Sequence, residues 1–115
     1  MKTVYMDTSY LVAILDPREQ WHELAKSVSK SLGPVRLATS EFVLIEVLNT
    51  FAEKGPLFRA KTSDYIDLIR ANANCRCSPL TSDHFYRSFN LYKQRADKNW
   101  SLVDCASMID MQDLG

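Results

Sequence analysis

Three carboxylates in this chain stand where an ionised acid is out of place: Asp7 closes the apolar run TVYM, Glu46 interrupts FVLIEVL, and Asp104 interrupts SLVDCASMI. A dehydrated carboxylate is costly unless a partner offsets it. No Lys or Arg is placed in sequence to pair with all three. The economical explanation is that the fold brings these acids to a common divalent cation, which offsets the cost of dehydrating them. Metal-assisted phosphoryl chemistry is what such a cluster serves.

The segments between the acids alternate in type. Thr3 to Met6 is a short β-branched and aromatic strand, and Thr8 to Leu15 a helix stopped at Asp16-Pro17. An amphipathic helix follows over 19–31, with Trp21, Leu24, Val28 and Leu32 spaced for one face, and Val35 to Ala38 is a second strand. Thr39 or Ser40 caps a helix from about Glu41 to Lys54, which reads as buried on nearly every side. Leu57 to Ala71 is another helix, capped or kinked near Thr62-Ser63; Asn74 to Pro79 is a weaker third strand. Thr81 caps a helix to about Gln94 and Ser101 one to about Gln112. Strands alternating with helices predict an α/β fold with a parallel sheet covered on both faces.

The bulk properties exclude several classes. A chain of 115 residues that is 46% hydrophobic and 24% charged suits one domain spanning 1–115. Fourteen basic and fourteen acidic residues leave no global field to draw nucleic acid, so any such contact is local. Lys54, Arg59, Lys61, Lys93, Arg95 and Lys98 are scattered and read as solvated surface. No run is apolar enough for a bilayer and no export signal opens the chain, which predicts a cytoplasmic protein without membrane contact. Cys75, Cys77 and Cys105 lack the second ligand pair of a zinc site and read as reduced thiols. Only three glycines are present, so there is no phosphate-cradling loop. His22 and His84 read as helix-surface residues. The stripes Tyr65, Leu68, Ile69 and Phe85, Phe89, Tyr92 read as core or interface faces rather than base-stacking platforms.

Each acid also has a plainer reading. Asp7 is a good N-cap for the helix after it. Glu46 can be a satisfied core acid, with Asn49 one turn on sharing its face. Ser101 with Asp104 is the capping-box pattern, which is compatible with a metal role. Asp97 by itself is a solvated loop residue. An aspartate-nucleophile phosphatase would need a second Asp two residues after Asp7, and Ser9 stands there.

Taken in order, MDTSYLVAIL, EFVLIEVLNTFA and DKNWSLVDCASM resemble the PIN domain, in particular the small VapC-type toxin ribonucleases. The resemblance spans essentially the whole chain. It implies a three-layer α/β/α PIN-like fold around a central parallel sheet and a Mg²⁺- or Mn²⁺-dependent endoribonuclease. It also implies a homodimer and an antitoxin partner. Position by position, Asp7, Glu46, Asp97 and Asp104 would be the catalytic and metal-binding acids, with Ser9 and Asn49 as supporting polar groups. Family members continue into a further strand carrying Thr-x-Asp, and this acid has no match here; Asp97, Asp110 or Asp113 would have to substitute. Without it, the alternative expectation is a catalytically impaired PIN-like protein that binds or regulates a partner.

Overall fold

In the computed structural model, which describes all 115 residues, Thr3–Tyr5 (β1), Arg36–Ser40 (β2) and Cys75–Ser78 (β3) pair in parallel in the order β1-β2-β3. Val4 lies opposite Leu37, and Leu37 opposite Cys75. Parallel neighbours need long crossovers, and helices supply them here: Thr8–Leu15 (α1) and His22–Ser31 (α2) before β2, Glu41–Thr50 (α3) and Pro56–Ala71 (α4) before β3. Ser82–Gln94 (α5) and Leu102–Leu114 (α6) complete the chain. One sheet face packs Leu37, Cys75 and Cys77 against the core made by Leu11 and Leu15 of α1, Val43, Leu44 and Val47 of α3, and Ile66 and Ile69 of α4. On the other side Tyr5 meets α6. The expected three-layer α/β/α arrangement is observed.

Several boundaries and burials differ from expectation. The helix predicted from residue 19 begins at His22, because Asp16 accepts the Arg18 backbone N–H and the chain turns through Glu19 before straightening. Trp21, Leu24 and Val28 face solvent, and α2 docks through its small and polar side. Ala25 is buried, Tyr10 and Ser29 join their hydroxyls, and His22 donates from Nδ1 to the Ala13 carbonyl at 2.6 Å. The second strand is longer than expected and runs into Ser40. The helix of FVLIEVL is not buried all round: Ile45 and Leu48 are exposed. It stops at Thr50, four residues early, and the chain turns to Gly55, whose φ of +94° only glycine adopts readily. The expected break at Thr62-Ser63 is absent, since Thr62 is buried inside a continuous α4.

Neither histidine is a surface residue. His84 is only 7% exposed and donates from Nε2 to Asp110 Oδ1 at 2.8 Å; Asp110, 3% exposed, accepts from the Tyr5 hydroxyl through its other oxygen at 2.8 Å. One buried acid thus ties β1, α5 and α6 together. Burial, chiefly, pushes the Tyr5 phenol up to about 12, and the bond to Asp110 acts in the same direction, opposed by Ser107 and Ser40. The phenol stays protonated and keeps donating. Asp113 is engaged by Arg87 with two bonds of 2.8 Å, so two of the three acids named as substitutes, Asp110 and Asp113, are already engaged. Arg59 and Lys61 are also committed, to the backbone carbonyls of Ala52 and Leu15.

Two consequences follow for stability. Asp110→Ala leaves the buried His84 donor and the half-buried Tyr5 hydroxyl without an acceptor, and chemical denaturation should show a loss of about 3–5 kcal/mol; a loss below about 1 kcal/mol would mean the network contributes little. Glu41 is held below the usual carboxylate range by the Leu80 backbone N–H first and Arg70 second. A depressed carboxylate contributes stability that is complete above its unfolded pKa and lost as pH falls through the folded value. Glu41→Gln should therefore flatten the acid limb of the stability curve below about pH 4.5, with no change in slope near neutrality.

Candidate metal centre

Asp7 is placed by the end of β1. The strand pairing continues one residue further, with Met6 N–H donating to the Ala38 carbonyl at 2.7 Å, while Thr39, 0% exposed, donates its hydroxyl to the Met6 carbonyl at 2.9 Å. The residue before Asp7 is therefore held at both its N–H and its C=O. Asp7 itself has extended backbone and accepts the Tyr10 N–H on Oδ1 at 2.9 Å, which makes it the N-cap of α1. The cap uses one oxygen, and the exposed carboxylate keeps its second for another partner.

Glu46 is carried in the second turn of α3. Ser40, fully buried at the end of β2, caps this helix by accepting the Val43 N–H. Val43 and Val47 bury the inner face, which leaves Glu46 half-buried at its margin. No hydrogen bond or ion pair engages its carboxylate; only its backbone carbonyl is used, by Thr50.

Asp104 sits in the first turn of α6. Leu114, at the far end of this helix, borders the same crevice as Thr3 and Arg36, which begin β1 and β2. One turn earlier Asp110 already reaches Tyr5 at the end of β1. The helix therefore runs antiparallel to the strands, and its first turn lies beyond their carboxyl ends, on the side where Asp7 leaves the sheet. The capping box is present in full: Ser101 N–H donates to Asp104 Oδ2 at 2.9 Å, and Asp104 N–H to Ser101 Oγ at 3.0 Å. Cys105 and Ala106, both fully enclosed, anchor the turn.

The three acids ride on elements in mutual contact, α1 with α3 and α3 with α6. Carboxyl ends of parallel strands are where ligand crevices form. Asp97 is engaged differently: Arg95 donates to it from Nε at 3.1 Å and from Nη2 at 3.2 Å, and this pairing holds its carboxyl below the usual range. Ser9 and Asn49 are exposed on α1 and α3. Hard carboxylate donors suit Mg²⁺ or Mn²⁺ better than softer metals. No three His, Cys, Asp or Glu side chains come together closely enough to hold a metal ion by themselves; Mg²⁺ keeps several waters and needs only one or two carboxylates, so the residues fit it in chemical kind. Burial pushes the Cys75, Cys77 and Cys105 thiols up, which disfavours the thiolate a softer metal would need, and no disulfide forms.

The acid that sequence reasoning did not place is Asp110. The signal was available, because MIDM interrupts an apolar helical stretch with a carboxylate just as FVLIEVL does. What the linear chain lacks is any sign that its donors come from residues 26 and 105 positions away.

No family model and no curated protein matches the chain. Among solved structures it is similar to VapC20 of Mycobacterium tuberculosis, described as a Sarcin-Ricin loop cleaving toxin, with a TM-score of 0.83 and 23% identity over 96% of this chain and 82% of that one. The chain thus shares the PIN-like α/β/α fold of that structure.

The caps separate folding from chemistry at Asp104. Asn at this position still offers an oxygen to the Ser101 N–H, so Asp104→Asn should leave the unfolding midpoint nearly unchanged, whereas Ser101→Ala should cost about 1 kcal/mol. Denaturation of the two variants side by side checks this; a large loss in Asp104→Asn would assign the carboxylate to structure.

Proposed function

We propose that this chain is a metal-dependent endoribonuclease, the toxin of a toxin–antitoxin pair, acting in the cytoplasm on RNA. One observation carries the reading: Asp7, Glu46 and Asp104 are borne at the carboxyl end of one parallel sheet by three elements in contact, within the fold of a VapC-type PIN domain. A homodimer and an antitoxin partner belong to the same proposal. No helix is long and apolar enough to cross a membrane.

Asp7, Glu46 and Asp104 would hold Mg²⁺ or Mn²⁺, with Asp97 beside them. Bound there, the ion would lower the pKa of a water and neutralise charge that builds on the phosphodiester. The chain's own part is positional. The Met6 clamp and the Tyr10 cap hold one Asp7 oxygen in place and leave the other to coordinate. The capping box does the same for Asp104. Glu46 has no internal partner and is half-buried, so a cation would relieve its desolvation. Ser9 and Asn49, on the same two helices as Asp7 and Glu46, would orient waters or phosphate oxygens by hydrogen bonding.

Incubation of the purified chain with structured RNA in Mg²⁺ or Mn²⁺ should give cleavage that a chelator abolishes. Asp7→Asn, Glu46→Gln and Asp104→Asn should each lower the rate by roughly a hundredfold or more without unfolding the protein. Cleavage that persists in chelator, or in all three variants, would overturn the proposal, as would a folded protein that binds neither metal nor RNA.

A further inference from the structure

The stripe Phe85, Phe89 and Tyr92, expected from its spacing to be a core or interface face, stands on the side of α5 that turns away from the core and is exposed. Phe89 and Tyr92 are 38% and 49% exposed, and only His84 and Ser88 of this helix are buried. With Trp100 from the segment before α6, these rings line an open groove of about 950 Å³. Cations lie over the rings: Lys93 Nζ is 4.8 Å from the Phe89 centroid, and Arg95 and Lys98 are 5.0 and 5.9 Å from that of Trp100. In a chain whose net charge is zero, this stretch sets three cations against the single acid Asp97. The groove is also lined by Ser101 and Leu102 at the start of α6, and the Ser101 N–H is held by the Asp104 carboxylate.

We infer that this groove binds unpaired nucleotides of an RNA, the bases stacking on Trp100, Phe89 and Tyr92 and the phosphates lying against Lys93 and Lys98, since Arg95 is already held by Asp97. The inference rests on the ribonuclease reading and gives its site a substrate grip. Flat exposed rings interleaved with cations are what single-stranded nucleic acid requires, because a base offers a π-face and each nucleotide brings a negative charge. A second protein copy fits less well, since charged side chains are depleted from the centres of protein interfaces. Stacking needs bases that are not already paired, so the groove selects loops and single strands over duplex. Its lining at the start of α6 would feed the strand toward the acids.

The test uses the full chain carrying Trp21→Phe, so that Trp100 is the only indole, in chelator to prevent cleavage. A single-stranded oligouridylate should quench Trp100 emission and bind more tightly than blunt duplex RNA. Trp100→Ala and Phe89→Ala, read by anisotropy of labelled RNA, should each weaken binding roughly tenfold. Lys93→Gln with Lys98→Gln should weaken it as well and lower the salt dependence by about two in slope. Lys26→Gln, on α2, should change nothing. If Trp100→Ala fails to fold, the lysine pair and the quenching decide. Unmoved Trp100 emission at saturating RNA, unchanged affinity in folded variants, or a changed oligomeric state with RNA binding intact would each overturn the proposal. Because binding is read without metal, loss of cleavage with binding retained counts against the nuclease reading alone.

Discussion

A carboxylate sealed from water has to receive its hydrogen bonds from the fold, and at Asp110 the fold does so with one donor from the first strand and another from the penultimate helix. Leaving either donor unmatched costs more than a well-formed bond contributes. The network is therefore a registration device as much as a source of stability. It sets where α6 lies along β1, and with it how far the first turn of α6 projects past the sheet. Asp104 is placed by Asp110, two turns away.

The candidate site follows the same economy. None of its acids depends on a dedicated scaffold, since Asp7 and Asp104 also cap their helices and Glu46 interrupts the apolar run from Phe42 to Leu48 of a packed helix. A cap fixes one oxygen of a carboxylate and leaves the other outward, which is a suitable state for a ligand that must accept a metal with its waters. The plain and the chemical readings of these residues are thus two uses of one geometry.

Much of this architecture was legible in the order of residues. Strand, acid and helix at the N-terminus, the alternation after it, and the caps at Ser40, Thr81 and Ser101 all follow from local rules, and local rules hold where neighbours in sequence are neighbours in space. The failures have a common cause. Trp21, Leu24 and Val28 have the spacing of a buried stripe, yet α2 docks through Ala25, Ser29 and His22, because periodicity says that a helix has an apolar face without saying what will cover it. His84 and Asp110 were misjudged for the converse reason, as each is polar alone and becomes a core group only in the other's company. The three acids were singled out by their local context, whereas which end of the sheet each stands at is a property of the crossovers.

Cys105 follows Asp104 directly, and its side chain is completely enclosed where α6 meets the rest of the molecule. Any opening that let this turn drift from its place would also have to bring that sulfur into water. The working arrangement of the acid therefore lasts as long as the docking of one helical turn, a local free energy that can be much smaller than the stability of the whole domain. A partner that grips α6 need not touch the acids to switch them; it has only to change how often that turn lets go.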